Sequence, residues 1–210
     1  MLVADQSEII AFLSRPETYE GTSAGPVAAV ERIETHVSVV FLAGEYAYKL
    51  KRAVRYPYLD FSTLAARHRF CQAELDVNRR TAPALYRGLV PLCRTAGGGL
   101  RLGGDGEAIE WLVQMRRFDQ ALLFDRLATA GRLDRFVIET TADAIAAFHA
   151  AAEPRRGGAD RALIGAIIDG NRRAFVECGA DCIDLGAVEQ LTVAAQQALA
   201  GAGDLVDQRS

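Results

Sequence analysis

Only two lysines occur in this chain, Lys49 and Lys51, against 22 arginines. They stand two residues apart in Tyr46-Ala47-Tyr48-Lys49-Leu50-Lys51. A chain that otherwise uses arginine suggests a local need for a compact ammonium on a flexible stem, which a planar guanidinium replaces poorly. Holding nucleotide phosphates is one chemistry with that need. The alternative is a chance distribution of a rare residue. On a strand, Ala47 and Lys49 share one face while Tyr46, Tyr48 and Leu50 share the other. Alanine leaves room for a flat ring, and lysine reaches a charged tail.

A carboxylate partner is available. In the stretch from Ser62 to Thr81, Leu64, Cys71, Leu75 and Asn78 recur at helical spacing, and Glu74 lies at the edge of that stripe. An inward carboxylate needs a cation or several hydrogen bonds to stay charged. Lys49 is the economical partner; the alternative leaves Glu74 at the rim with Arg79 or water. Lys51 shares the Ala47 face but lies nearer the strand exit, so it is expected to be solvated.

These residues need a sheet and a helix to position them. A short helix is expected over residues 6–13, and then strands over 27–34, 36–42 and 46–51, the last two joined by Ala43-Gly44-Glu45. The helix that carries Glu74 follows, with Ser62 or Thr63 as N-cap and Pro83 just beyond its end. Strands over 88–94 and 108–115 come next. The glycine runs 97–99 and 103–106 between them read as hairpin loops rather than a phosphate cradle, since no helix start follows them. Helices are expected over 119–130, 133–152, 159–177 and 185–200, with breaks at Gly131 and at 153–158. Five strands with one embedded helix, followed by an all-helical part, give an α+β architecture of two lobes, 1–117 and 118–210.

Composition narrows the function. Half the residues are apolar and the net charge is −3, which speaks against a general nucleic-acid binder. No apolar run reaches the roughly 18 residues of a membrane span, and Asp5 and Glu8 precede any apolar run, so the expected location is cytoplasmic. Cys178 and Cys182 could share a helix face. No second ligand pair lies nearby in sequence, and they read as reduced thiols rather than half a metal site.

Four further segments extend the pattern: residues 35–42, Leu59-Asp60-Phe61-Ser62-Thr63-Leu64, Cys71-Gln72-Ala73-Glu74-Leu75 with Asn78-Arg79-Arg80, and Met115-Arg116-Arg117-Phe118. Together with the lysine strand they resemble aminoglycoside-phosphotransferase-like kinase domains, in particular a bacterial group in which such a domain often precedes a P-loop ATPase domain. The resemblance runs from about residue 5 to the end and is most specific over 35–91. It implies a protein-kinase-like N-lobe with an antiparallel sheet of about five strands, followed by the helical part of a C-lobe. It also implies ATP as cofactor. Lys49 becomes the nucleotide lysine of the Ala-x-Lys strand motif and Glu74 its helix partner. Backbone groups around Gln114, Met115 and Arg116 would meet the adenine edge, and Thr35 to Ser38 would form the turn over the phosphates.

The catalytic half is not recognisable. Phosphoryl transfer in that family uses an aspartate in a His-Gly-Asp segment, a following asparagine and a later metal-binding aspartate. The three histidines, His36, His68 and His149, stand in none of these contexts. The sequence ends about where the catalytic segment is expected, so neither catalytic residues nor Mg2+ ligands are assigned. Two readings follow: the nucleotide-binding portion of a small-molecule kinase, or a non-catalytic nucleotide-sensing or protein-binding module on a shortened kinase fold. The phosphate acceptor is not legible. Helices from Leu133 onward are expected to expose apolar surface, and this chain alone is expected not to transfer phosphate.

Overall fold

The computed structural model describes residues 2–153, 160–179 and 182–209. The chain divides into two compact units, Met1–Ala142 and Asp143–Ser210.

The first unit is built on an antiparallel sheet. Its strands are β1 (Val30–Glu34), β2 (Ser38–Ala43), β3 (Tyr46–Lys51), β6 (Tyr86–Arg94), β7 (Leu100–Leu102) and β8 (Ala108–Arg116). A separate two-residue hairpin, β4 (Arg55–Tyr56) with β5 (Leu59–Asp60), precedes helix α2 (Leu64–Arg79). The order in the large sheet is β1-β2-β3-β8-β6-β7. Strand β8 therefore lies between β3 and β6, although both precede it in sequence. Helix α2 forms the connection from the β3 side to β6 and packs against β8 and β6.

Alternation sorts the strands into two faces. Val39, Phe41, Tyr48, Leu50 and Leu112 are buried with Leu13 of helix α1 (Ser7–Leu13) and Tyr19 in one apolar core. The register sets Phe41 opposite Tyr48, and Leu50 opposite both Val39 and Leu112, so the apolar positions coincide across strands. The other face carries Leu42, Ala47 and Val113, which are buried, as are Cys71 and Leu75 of α2. Thr63 caps α2, its side chain accepting from the Ala66 amide.

Several boundaries differ from expectation for identifiable reasons. β1 starts at Val30 rather than residue 27 because Val30 already faces Ala43, the last residue of β2. The chain then turns at Gly44, whose φ of +56° suits glycine, and a Cβ there would collide with the Ala24 carbonyl oxygen. β2 starts at Ser38 because residues 35–37 are used in a closed turn. The sheet has six strands, not five: Leu100–Leu102 pairs with Leu92–Arg94 between the two glycine runs. The expected helix over 119–130 is a 3-10 turn, Gln120–Leu122, and helix α3, Phe124–Thr129.

Helix α4 (Arg135–Ala151) runs across the division between the units and buries no residue. The second unit also holds α5 (Asp160–Gly179), α6 (Leu185–Gly201) and α7 (Gly203–Arg209). α6 packs against α5 and buries Val188 and Thr192. The break expected at 153–158 lies outside the described residues from 154 onward, as does the Cys178 side chain, so the Cys178–Cys182 pairing is not described. No described helix is long and apolar enough to cross a membrane.

Candidate functional site

Helix α2 aims one carboxylate at the lysine face of β3. Lys49 Nζ donates to Glu74 Oε1 at 2.8 Å, and Lys51 Nζ donates to Glu74 Oε2 at 2.6 Å. One carboxylate thus bridges both lysines of the chain. Burial would raise the Glu74 carboxyl, but hydrogen bonds and attraction from Lys49 and Lys51 outweigh it and leave the group below its ordinary value. The carboxylate is therefore charged at neutral pH, and the triad carries a net charge of about +1.

The two lysines are not equivalent. The Lys51 side chain is 7% exposed and that of Lys49 29%. Lys51 also lies over the Phe61 ring, 5.0 Å from its centroid, a cation–π contact on its buried side. The expectation that Lys51 is solvated is thus corrected. The end of β3 is covered by the segment that leads into α2, where Phe61 donates its amide to the Val54 carbonyl at 2.9 Å. Lys49 keeps the more open flank. Ala47 lies two residues before it on the same face, 7% exposed and paired with Leu42 and Met115. Cys71 is buried within the electrostatic reach of the triad, and burial pushes its thiol up to about 11, which leaves it unreactive.

Thr35 and Ser38 close the turn between β1 and β2. The Ser38 amide donates to Thr35 Oγ1 at 3.0 Å, and the Thr35 amide donates to the Ser38 carbonyl at 2.9 Å. Ser38 is buried and faces Lys51 across the ladder. The turn therefore stands at the Lys51 end of β3.

Gln114, Met115 and Arg116 lie at the opposite end. Met115 shares the lysine face with its partner Ala47. The Gln114 side chain lies on the other face, donating to Tyr48 Oη at 3.1 Å and Ser23 Oγ at 3.2 Å. Gln114 and Met115 are paired on both sides, with β3 and with β6. The Arg116 amide donates to Leu85 and the Arg117 amide to Glu45. Backbone beyond the ladder begins at Phe118. There, Gly44, Glu45, Arg116, Arg117, Phe118 and Asp119 line an open cleft of ≈310 Å³. Ala47, Lys49, Glu74 and Met115 are thus gathered on one side of the sheet, with Thr35 and Ser38 at one end and Arg116 at the other.

A buried network holds α2 at the height that makes this possible. Glu110 is fully buried and Arg67 is 6% exposed. Arg67 Nη2 meets Glu110 Oε2 at 2.8 Å, and its Nε donates to both carboxylate oxygens at 2.9 Å. Gln6 Nε2 donates to the same carboxylate at 2.9 Å and to the Lys51 carbonyl at 3.1 Å, while Gln6 Oε1 accepts from the Ala53 amide at 2.8 Å. The Arg67 guanidinium also reaches the Phe61 carbonyl at 3.0 Å. Among the described residues, no buried side-chain nitrogen or oxygen lacks a partner. Sequence reading missed this network, although Arg67 sits three residues after Leu64 and four before Cys71, on the same inward stripe. His68 of α2 stacks on Trp111 of β8 with ring centroids 4.1 Å apart.

Among the described residues, no group of three or more His, Cys, Asp and Glu side chains is placed to hold a metal ion. No family model matches the chain, and no solved structure matches it. Over 134 residues it is 32% identical to uncharacterized proteins of Mycobacterium tuberculosis, Rv2004c in strain H37Rv and MT2060 in strain CDC 1551, and of Mycobacterium bovis, Mb2027c. The matched region is 64% of this chain and 25% of each relative, so the chain spans about a quarter of the length of the curated relatives it matches.

Proposed function

We propose that this chain carries the nucleotide-binding half of an ATP-dependent phosphotransferase site of the aminoglycoside-phosphotransferase-like kind, on a kinase-type N-lobe. The observation that carries the reading is the 2.8 Å Lys49–Glu74 pair between a strand and the helix packed on its sheet, with Ala47 two residues before the lysine. Active kinases use such a strand lysine on the nucleotide phosphates and pair it with a helix glutamate. The strand order supports it: the lysine strand neighbours a later strand that leads out of the sheet, and the glutamate helix connects across them.

On this reading ATP lies along the lysine face. Ala47 gives room for the adenine, Lys49 holds phosphate oxygens, and Glu74 fixes the ammonium. The segment from Arg116 to Asp119 serves as the link beside the adenine, and the turn at Thr35–Ser38 lies at the phosphate end. The role proposed is nucleotide binding and positioning. The transfer step needs a base and Mg2+ ligands, for which this sequence has no recognisable residues. Exposed apolar positions on α4, such as Phe136 and Ile138, favour a second reading, a nucleotide-sensing module that docks another protein.

Calorimetric titration with ADP or ATP tests the proposal. Lys49→Ala should lose a charge-assisted phosphate contact of about 1.5–3 kcal/mol, roughly tenfold or more in affinity. Lys49→Arg should weaken binding as well, because a planar fork does not fit an ammonium site. No nucleotide binding by the wild type, or a Lys49→Ala protein that binds equally well, would overturn the reading.

A further inference from the structure

The two lysines divide one carboxylate between them unequally, and the inequality has a purpose if the lysine face takes an anion. We infer that Lys51 is a positioning residue. It neutralises and anchors Glu74 from the buried side, so that the charge of Lys49 is left available to a polyanionic ligand. This rests on the nucleotide reading above but makes a separate claim about charge.

A lone Lys–Glu pair is neutral, so the carboxylate offsets part of what an approaching phosphate gains from the ammonium. Adding Lys51 changes the sum. With Lys51 on Oε2 and Lys49 on Oε1, Glu74 keeps a full counter-charge even while Lys49 turns toward phosphate oxygens. The more buried partner is the suitable anchor. Lys51 has the shorter contact, 2.6 Å, the lower exposure, 7%, and the Phe61 ring beneath it. Its main-chain carbonyl is held by the buried Gln6 amide, so the strand position of the anchor is fixed too. Among the described residues, Lys49 donates to the carboxylate alone, and it keeps the more open flank. The Arg67–Glu110 pair ties α2 to β8 about two helical turns before Glu74.

The composition makes the test clean, since 15N-lysine labelling of the whole chain yields two ammonium signals. In the ligand-free protein the Lys51 ammonium should exchange protons with water more slowly than that of Lys49. Inorganic tripolyphosphate, and separately ADP, should shift the Lys49 signal and leave Lys51 close to its starting position. Lys51→Met should lower tripolyphosphate and ADP affinity about tenfold. Adding Glu74→Gln to Lys51→Met should restore most of it, because removing the carboxylate frees Lys49 again. A merely structural role for Lys51 predicts no such rescue.

Equal exchange of the two ammonium groups, faster exchange at Lys51, or a double variant as weak as Lys51→Met would overturn the inference. Slow exchange at Lys51 together with no response to either phosphate probe supports the anchor while overturning the nucleotide reading. If Lys51→Met fails to fold, the exchange rates and phosphate shifts of the wild-type protein decide.

Discussion

Glu74 is the residue on which the site turns, because both lysines donate to its carboxylate. Its carboxyl lies below the ordinary value in the folded protein: burial opposes ionisation, and the two lysines more than offset it. A carboxyl depressed on folding contributes stability that is fully present above its unfolded value and is lost as pH falls through the folded one. The advantage of wild type over Glu74→Gln in urea unfolding should therefore hold constant from neutral pH down toward the ordinary value of 4.5 and shrink below it. An advantage that persists or grows in acid would mean that the lysines are not what holds the carboxylate. The Lys49–Glu74 contact was legible in sequence because strand alternation and helix spacing are local rules, and each placed one partner on an inward face. The burial of Lys51 was not legible: its cover, Phe61, belongs to a separate segment that folds back over the strand end, and no local periodicity records that return.

At the scale of elements, the question is what fixes α2 against the sheet. Its apolar stripe is thin, with Cys71 and Leu75 the buried apolar members, so the Arg67–Glu110 pair carries much of the registration. Both charges are almost out of solvent, and removing one leaves the other uncompensated. Glu110→Gln or Arg67→Ala should each cost about 3–5 kcal/mol in urea unfolding, whereas Arg67→Met with Glu110→Leu should recover a large part of that loss. Single variants within about 1 kcal/mol of wild type would show that the pair does not hold the helix. Partial losses should also weaken nucleotide binding, since Glu74 moves with α2. Most elements were readable from their own residues: a cap at Ser62 or Thr63, of which Thr63 is the one used, the 46–51 strand, the Gly44 turn. What escaped was non-local or short. Arg67 and Glu110 are 43 positions apart, so nothing near Arg67 announces its partner. β7 has three residues, too few for alternation to register, and only its pairing with β6 makes it a strand.

At the scale of the molecule, the sheet core and the helices from α4 onward differ in how they use their apolar residues. The sheet unit sequesters Tyr19, Phe41, Tyr48 and Leu50 almost completely. The helices leave large side chains in solvent: Phe136 is 75% exposed, Leu163 59% and Leu191 62%, and α4 buries no residue at all. Single exposed apolar residues are ordinary, whereas apolar side chains that gather into a patch favour association. The isolated chain should therefore bind a hydrophobic dye such as anilinonaphthalene sulfonate and should self-associate with rising concentration. Substitutions such as Phe136→Glu, Leu163→Glu and Leu191→Gln remove apolar surface without opening a core, so they should reduce dye fluorescence and association while leaving the unfolding midpoint nearly unchanged. A drop in midpoint of several degrees would show that these side chains are packed in solution. A monomer that binds no dye and unfolds in one sharp transition would show that the helices already satisfy their apolar faces, and the docking reading would lose its support. The sheet unit allows an independent check, because a surface defect confined to the helices should leave the Lys49 phosphate response intact in the same variants.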